Sequence, residues 1–418
     1  MAWRLWSLLL STVAVTWACQ PARFHKDAAP VASPDEPKVG DAERHTMRLA
    51  TFNAGLAVGV LEHAAERAPV VVSALQREPL DVLCVQEFWH ESHWRDLVSG
   101  LSGRMSQRLR PPPIGSAVGA PCKRREIAAA EACVNANCAG VPSSELAFCA
   151  MHSCAKFALD LSSECMGCLS RDPLRSAHEI FAECVEPVPA TGAPAVAKAA
   201  KAAPPAVSVG ESTEYYYGGS SGIGLLVGPP LLEAGLMRLP STMHPRAVLY
   251  ARLAGPAGAD LHVFCTHLTP LLRSVPYRGR GSWEAEQARQ IDALLGFIEA
   301  KTKNGGVAVL LGDLNTGPAV PPRILGRLPD HYARLVSHGF INPYLEAPAP
   351  ECTFCYDNLV GGGSGTDGIL IDHALTRGFS GTARARRVLD QTVKIKVRGE
   401  ELSTAYSDHY GVELEIDW

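Results

Sequence analysis

"VAVLLGDLN", residues 307–315, is a run of five apolar residues followed by a glycine, an acid, a leucine and an amide. A short apolar run of this kind predicts a buried strand. Asp313 and Asn315 stand where that strand should end. Because strand ends combine a rigid support with open loops, polar residues placed there are candidates for a ligand site.

Seven other segments have the same strand-like character, and one segment has the apolar spacing of an amphipathic helix. The helical segment is "EAEQARQIDALLGFIEAKT", residues 284–302. The strand-like segments are "MRLATFNAG" (47–55), "DVLCVQEFW" (81–89), "GIGLLVG" (222–228), "RAVLYARL" (246–253), "ADLHVFCTHL" (259–268), "GILIDHALT" (368–376) and "YGVELEID" (410–417). Together these segments predict a mixed α/β chain.

The composition changes twice between residues 110 and 213. Residues 111–185 are rich in cysteine and contain helix-like stretches, and residues 186–212 are rich in alanine and proline. We interpret the first as a helical insert and the second as a linker. Residues 46–110 and 213–418 then form one continuous domain.

Cysteine usage predicts disulfide bonds. An even set of cysteines in an exported protein is typical of a disulfide framework, although the pairing cannot be read from sequence. A zinc site through Cys165 and Cys168 is the alternative for the insert. Cys84 and Cys265 lie in apolar strands and are predicted to be buried thiols. The disulfide candidates are Cys122, Cys133, Cys138, Cys149, Cys154, Cys165, Cys168 and Cys184 in the insert, with Cys352 and Cys355 closing a surface loop.

The first residues of the chain predict export. Residues 1–18 place one arginine before a short apolar stretch, as in a signal peptide. Cys19 follows a small residue and precedes a linker, residues 19–45, an arrangement similar to a bacterial lipoprotein signal with lipidation at Cys19. An ordinary secretory signal is the alternative.

Bulk composition limits the classes of partner. The chain has 418 residues, of which 47% are hydrophobic and 20% charged, which is typical of a folded domain. The formal net charge of −4 provides no long-range attraction for phosphate backbones, which weakens the case for a nucleic-acid substrate.

Eight polar residues share one placement, because each stands at or just beyond the end of a predicted strand. Side chains at the ends of neighbouring strands can converge on one rim of a sheet. The eight residues are Asn53, Glu87, His267, Asp313, Asn315, Asp372, Asp408 and His409.

The motifs that contain these residues resemble the endonuclease/exonuclease/phosphatase superfamily, which has the deoxyribonuclease-I-like fold. The resemblance rests on "TFNAG", "VQEFW", "GIGLLV", "THL", "GDLN", "LIDHAL" and "SDHYG", in that order. Within the superfamily, "VLCVQEFWHESHWRDL" is most similar to the neutral sphingomyelinase branch. The resemblance implies a four-layer α/β/β/α sandwich of two mainly antiparallel sheets, here with the cysteine-rich helical insert.

The resemblance also implies a metal-dependent phosphodiesterase. Glu87 would be the main ligand of Mg²⁺ or Mn²⁺, with Asn53 nearby and Asp408 assisting, because oxygen ligands suit a hard cation. His409 would take a proton from the attacking water, and Asp372 would orient its ring.

Three further residues would complete the predicted site. His267 would donate to a phosphate oxygen, and Asp313 and Asn315 would position water and phosphate. His373 is left outside the catalytic set, and Arg246 is expected to lie at the surface. The aromatic residues 215–217 are expected to form an edge-strand run.

The substrate remains open between three hypotheses. Sphingomyelinase-like phospholipid hydrolysis leads, with a membrane surface reached through the lipid anchor and a monomeric enzyme. A secreted deoxyribonuclease shares the same chemistry. A non-catalytic surface lipoprotein that binds a partner through its insert is the third hypothesis.

Overall fold

The computed structural model describes residues 46–115, 119–172, 175–187, 215–255, 259–273, 275–277, 280–303, 305–361 and 365–418. The predicted signal peptide, Cys19 and the linker 19–45 lie outside the described residues, as does all but the beginning of the linker 186–212. Within the described ranges, no helix combines the length and the apolar character needed to cross a bilayer.

Strands occupy most of the predicted segments. In chain order they are β1 Thr46–Asn53, β2 Val82–Gln86, β3 Gln107–Leu109, β4 Gly224–Val227, β5 Leu231–Leu239, β6 Arg246–Ala254, β7 Asp260–His267, β8 Val307–Asp313, β9 Ile324–Leu325, β10 Phe354–Cys355, β11 Gly368–Ile369, β12 Asp372–Arg377, β13 Thr382–Val388, β14 Thr392–Val397, β15 Glu400–Ala405 and β16 Gly411–Asp417.

Helices lie between these strands and in the insert. In chain order they are α1 Ala64–Arg77, α2 Glu91–Leu101, α3 Arg124–Asn137, α4 Ser143–Ser153, α5 Ala155–Leu159, α6 Ser163–Leu169, α7 Ala177–Cys184, α8 Trp283–Thr302 and α9 Pro329–Ser337. Short 3₁₀ turns form at Tyr217–Gly219 and Pro343–Glu346.

Two large sheets form the centre of the domain. One has the strand order β13-β16-β1-β2-β4-β3, and the other has the order β12-β8-β7-β6-β5. Only the β1–β2 and β7–β8 pairs are parallel within these two sheets. The remaining pairs are antiparallel, as predicted.

The apolar runs are explained by burial on both faces of each strand. In β8, Val309 and Leu311 face the core between the sheets, whereas Ala308 and Leu310 face the outer helices. β2 alternates in the same way: Leu83 and the residue two positions after it face the outer helices, and the residue between them faces the core between the sheets. A strand covered on both faces needs apolar residues at every position, which explains why β8 shows no polar alternation.

Helices cover the outer faces of both sheets. Helices α1 and α2 pack on the six-stranded sheet through residues such as Val71 and Leu97. Helices α8 and α9 pack on the five-stranded sheet through residues such as Ile291 and Leu335. The order of layers is helix, sheet, sheet, helix, and the predicted fold class is therefore confirmed.

The cysteine-rich region is helical, as predicted, and lies between β3 and β4. Helices α3–α7 enclose a small core of their own around Ile127 and Met166. The two ends of this region meet at a parallel bridge between Cys122 and Val185. Its disulfides are Cys122–Cys165, Cys133–Cys154, Cys138–Cys149 and Cys168–Cys184. Since Cys165 and Cys168 are each bonded to a different cysteine, the zinc alternative was wrong.

Two other disulfides lie in the sandwich. Cys352 and Cys355 are bonded, in agreement with a closed loop. Cys84 and Cys265 are also bonded, with their Cα atoms 5.6 Å apart, so the prediction of two buried thiols was wrong. The strand pattern showed that both residues are buried, but only the packing of one sheet on the other brings β2 against β7.

The aromatic residues 215–217 do not form an edge strand, and that expectation was wrong. Tyr217 begins a 3₁₀ turn and stacks on Trp89, with ring centroids 5.0 Å apart. The turn follows the linker, where the chain returns from the insert to the sandwich. Its rings therefore pack between the two parts of the molecule instead of pairing along a sheet.

Loss of the cross-link between the sheets should destabilise the protein. The double substitution C84A/C265A should lower the free energy of unfolding by about 2–5 kcal/mol, because the bond closes a long loop of the unfolded chain. The sequence separation is 181 for this pair and 3 for Cys352–Cys355. Urea unfolding of C84A/C265A and of C352A/C355A measures the difference. Equal losses in the two variants would contradict the proposed contribution.

Candidate active site

Strand ends from both sheets meet at one rim. In the five-stranded sheet, His267 at the end of β7 pairs in register with Asp313 at the end of β8, and Asp313 pairs with Asp372 at the start of β12. In the six-stranded sheet, Asn53 ends β1 beside Gln86 at the end of β2. The parallel pairs fix which strand ends are neighbours, and the sandwich brings the two sets together.

The carboxylate of Asp313 is the hub of this rim. Its Oδ2 atom accepts a hydrogen bond from Asn53 Nδ2 at 2.9 Å, across the sandwich, and lies 3.3 Å from His267 Nε2 and 3.9 Å from His409 Nε2. Its Oδ1 accepts the backbone N–H of Asn315 at 2.9 Å. Burial alone would raise the pKa of Asp313, but the two histidines and the Asn53 hydrogen bond hold it below its usual range.

His409 and Asp372 form a buried dyad. His409 Nδ1 lies 2.8 Å from Asp372 Oδ2, which leaves Nε2 directed at the hub. Burial raises the pKa of Asp372 to about 6, against the opposing attraction of His409. Burial disfavours a charged His409, yet the carboxylates of Asp372, Asp408 and Asp313 raise its pKa well above the usual range. The surrounding carboxylates therefore make the ring more basic than a free imidazole, and the Asp372 contact gives it one fixed orientation.

Glu87 and Asp408 form a second acidic group at the rim. Burial, followed by the charge of Asp408, raises the pKa of Glu87 to about 7. Among the described residues, neither carboxylate forms an ion pair with a lysine or arginine side chain. Two acids that repel each other without a lysine or arginine in contact suit a hard divalent ion. Asn53 directs its amide nitrogen at Glu87 Oε1, 3.3 Å away, so its oxygen would have to turn to serve as a ligand.

A second donor set lies close by. Ligand atoms of Asp313, Asp372 and His409 all come within 4.8 Å of one another. His409 Nδ1 is already hydrogen-bonded to Asp372, and Asp313 is already hydrogen-bonded to Asn53. An ion held by all three residues would compete with these hydrogen bonds, so Glu87 and Asp408 fit a cation better.

His267 and Asn315 contact the hub from the side of β7 and β8. Burial, with the charge of Arg246 next in size, lowers the pKa of His267 to about 4, so the ring is neutral and donates through a single nitrogen. Asn315 directs its side-chain Nδ2 at the carbonyl of Leu268, 3.0 Å away. In this arrangement Asn315 holds the β7 and β8 exits together, and its amide is already engaged by the backbone.

Two candidate residues occupy the left-handed region of backbone conformation. Glu87 has φ 61° and Asn315 has φ 49°, where residues other than glycine are uncommon. Such strain concentrates at functional sites because the surrounding packing holds it in place.

His373 is buried between the carbonyl of Thr316 and the ring of Tyr332, in agreement with its exclusion from the catalytic set.

Sequence reasoning missed two buried arginines. Arg67 on α1 donates to the carbonyls of Ala54, Gly55 and Tyr406, and so ties the loop after Asn53 to the segment before Asp408. The helical spacing of α1 places Arg67 on the face that packs against the rest of the domain. The carbonyls that it contacts lie in a loop or far away in the sequence, so the sequence pattern did not identify them.

The second missed arginine is Arg246, which was expected at the surface. It is 4% exposed, and that expectation was wrong. Its Nη1 is buried without a hydrogen-bond partner in the described part of the chain. Burial lowers its pKa, and the charges of Glu87 and Asp313 oppose that shift. Its position at the start of β6, a strand covered on both faces, explains the burial.

Glu87 should make the metal-free protein less stable at high pH. Its pKa of about 7 exceeds the unfolded value of 4.5, so the folded state binds more protons between these values and loses stability as the pH rises through them. Glu87→Gln removes this titration. At pH 8 the variant should be more stable than wild type by about 1–3 kcal/mol, and near pH 4.5 the two should be equal.

Thermal unfolding at both pH values, in EDTA, measures this difference. Glu400→Gln, at an exposed position on β15, is the control and should show no pH-dependent gain. Added Mg²⁺ should then stabilise wild type and not Glu87→Gln. A variant less stable than wild type at pH 8 would contradict the assignment.

Comparisons with known proteins identify the family and the fold. A model of the endonuclease/exonuclease/phosphatase family matches residues 50–409. No curated protein matches the chain in sequence. Sphingomyelinase C from Streptomyces griseocarneus is 15% identical and SmcL is 13% identical. Each similarity covers 89% of this chain and 99% of the other, with a TM-score of 0.50. At such identities the structures show a shared fold alone, but the family model spans most of the sequence. The chain therefore belongs to the endonuclease/exonuclease/phosphatase family, whose members hydrolyse phosphoesters.

Proposed function

We propose that this protein is a divalent-metal-dependent phosphodiesterase. The observation that carries the proposal is the arrangement of the His409–Asp372 dyad and the Glu87–Asp408 acid pair around Asp313. Hydrolysis of a phosphodiester requires a base for water, neutralisation of charge on the phosphoryl oxygens and groups that position both. The rim contains a candidate for each requirement.

His409 would act as the base. Asp372 holds the Nδ1 proton, so Nε2 is the atom that accepts a proton from water. Nε2 lies 4.0 Å from Asp408 Oδ2 and 3.9 Å from Asp313 Oδ2, so a water placed beside these atoms could hydrogen-bond to the ring and to one of the acids. Asp313 would orient that water through its Oδ2.

The remaining groups would bind the phosphate. Neutral His267 has a single N–H, which it can offer either to Asp313 or to a phosphate oxygen. Arg246 supplies a buried positive charge near Glu87 and Asp313, which favours an anion at the rim. Mg²⁺ or Mn²⁺ held by Glu87 and Asp408, with Asn53 close by, would supply electrostatic neutralisation of the phosphoryl oxygens.

A phospholipid of the sphingomyelin class is the substrate that we favour over DNA. The net charge of −4 provides no general attraction for a polyanionic duplex. The "QEFW" stretch at residues 86–89 is similar to the sphingomyelinase branch, and the sphingomyelinase C structure shares the fold.

The cellular setting that we propose is outside the cytoplasm. The twelve described cysteines form six disulfides, which are typical of an oxidising compartment. A signal peptide over residues 1–18, with lipidation of Cys19, would anchor the enzyme to a membrane surface. Metabolic labelling of the wild type and of Cys19→Ser with a radioactive fatty acid tests this anchor.

Loss of the base should abolish turnover. His409→Gln should reduce kcat for bis-p-nitrophenyl phosphate by about 10²–10⁴-fold in Mg²⁺ while the fold is retained. His338→Gln, at an exposed position, is the control and should behave as wild type. Release of p-nitrophenol is followed by absorbance, in Mg²⁺ and in EDTA. An unchanged rate in His409→Gln would exclude this residue as the base, and full wild-type turnover in EDTA would exclude the metal.

The substrate class is decided by a paired assay. Wild-type protein in Mg²⁺ should release phosphocholine from sphingomyelin liposomes and leave supercoiled plasmid intact. Nicking without phosphocholine release would favour a secreted deoxyribonuclease. Failure on both, together with no turnover of bis-p-nitrophenyl phosphate, would favour a partner-binding lipoprotein. His409→Gln is the control for contaminating activity in each arm.

A further inference from the structure

A cavity lies between the helical insert and the sandwich. It has a volume of about 330 Å³, within the range of small-molecule sites. One wall is formed by α3 and α4, through residues such as Ile127, Ala130 and Ala150. The opposite wall belongs to loops of the sandwich and includes Val58 and Tyr217.

The lining is almost entirely apolar and carries no free charge. Arg175 is the one charged side chain among the described lining residues, and its Nη1 lies 2.6 Å from Glu183 Oε2. His244 also lines the cavity, and burial lowers its pKa well below the usual range, so its ring is neutral. A polar or charged ligand would find few partners here, whereas a hydrocarbon would lose nothing by leaving water.

Disulfides fix the helices that form the insert's wall of the cavity. Cys154, itself a lining residue, is bonded to Cys133 on α3, and Cys122 is bonded to Cys165 on α6. An unfilled apolar cavity of this size destabilises a protein, because its lining loses contacts. The cross-links limit how far the insert helices can rearrange to fill that space.

The cavity adjoins the catalytic rim. Tyr217 forms part of its lining and stacks on Trp89, whose ring centroid lies 6.4 Å from that of His267. The loop after β1 links the two sites as well. A Cβ atom on Gly55 would approach Asp408, and a Cβ atom on Gly59 would lie 2.7 Å from Ala147 on α4. One loop thus contacts the acid pair at one end and the insert at the other.

We propose that this cavity binds a single long hydrocarbon chain of the substrate lipid while the phosphate lies at the rim. The proposal rests on the proposed phosphodiesterase function and adds a role for the insert. The apolar lining favours a hydrocarbon ligand. The neighbouring rim would hold the phosphate of the same molecule, and the volume accommodates one chain. The insert therefore confers preference for lipid phosphodiesters over water-soluble ones.

The test is a chain-length series. The substrates are p-nitrophenyl phosphodiesters whose second ester group is methyl, hexyl or dodecyl, each below its micelle concentration. KM of the wild-type enzyme should fall with length by up to about fourfold per buried methylene. Ala130→Phe, which fills the cavity from α3, should remove most of this dependence and leave kcat/KM for the methyl ester unchanged.

Matched variants separate cavity filling from loss of the fold. Ala129→Phe, at the exposed neighbouring position on α3, should retain the dependence on chain length. Ala150→Phe, which approaches from α4, should remove it as Ala130→Phe does. A flat KM series in wild type, or a dependence unchanged in both cavity-filling variants, would overturn the proposal.

A binding measurement separates this proposal from the proposed function. Calorimetry follows dodecylphosphocholine, below its micelle concentration, binding to His409→Gln, alone and combined with Ala130→Phe or Ala150→Phe. Binding that both fillings abolish supports the cavity even if no ester is hydrolysed, in which case the phosphodiesterase proposal alone fails. No binding, or binding unaffected by both fillings, overturns the cavity proposal even if hydrolysis occurs.

Discussion

The contact on which the site depends is the hydrogen bond from Asn53 to Asp313, at 2.9 Å across the sandwich. Asp313 ends a strand of one sheet and Asn53 ends a strand of the other. Both side chains are buried, so the bond is protected from water. The two histidines and the Asn53 hydrogen bond, acting against burial, keep the pKa of the carboxyl group low and the carboxylate ionised. His267 and His409 converge on the same oxygen. A shift of one sheet relative to the other would separate the groups that must act together.

The rest of the fold keeps that alignment. The Cys84–Cys265 bond links β2 to β7 through the core between the sheets. Arg67 donates to four backbone carbonyls, and three of them, those of Ala54, Gly55 and Tyr406, would otherwise be buried without its hydrogen bonds. Glu87 and Asn315, at the ends of strands in the two sheets, have positive φ angles that the surrounding fold holds in place. The rim is thus positioned by packing and cross-links.

Local pattern explains what could be predicted. The apolar run before Asp313 predicted a buried strand, and the order of motifs predicted both the sandwich and the eight rim residues. What could not be predicted depends on contacts between distant segments. Cys84 and Cys265 are separated by 181 residues, and their pairing follows only from how the sheets stack. Arg246 was misjudged because an arginine at a strand start is usually solvated, whereas β6 is covered on both faces.

The insert adds a second structured part to the domain. Its four disulfides, small core and apolar cavity make it a second structured surface beside the catalytic rim. Tyr217 and Trp89 stack on each other and connect the cavity to the rim. On the proposal made above, the insert is the part of this chain that would select one class of phosphoester.

The location of the cation tests the central claim most directly. Crystals of the wild-type protein soaked in Mn²⁺ give an anomalous difference map that reports the ion without reference to any substrate. The account predicts a single peak within coordination distance of a Glu87 carboxylate oxygen, on the side facing Asp408, with His409 Nδ1 still bonded to Asp372. A peak enclosed by Asp313, Asp372 and His409, or no peak at the rim, would contradict it.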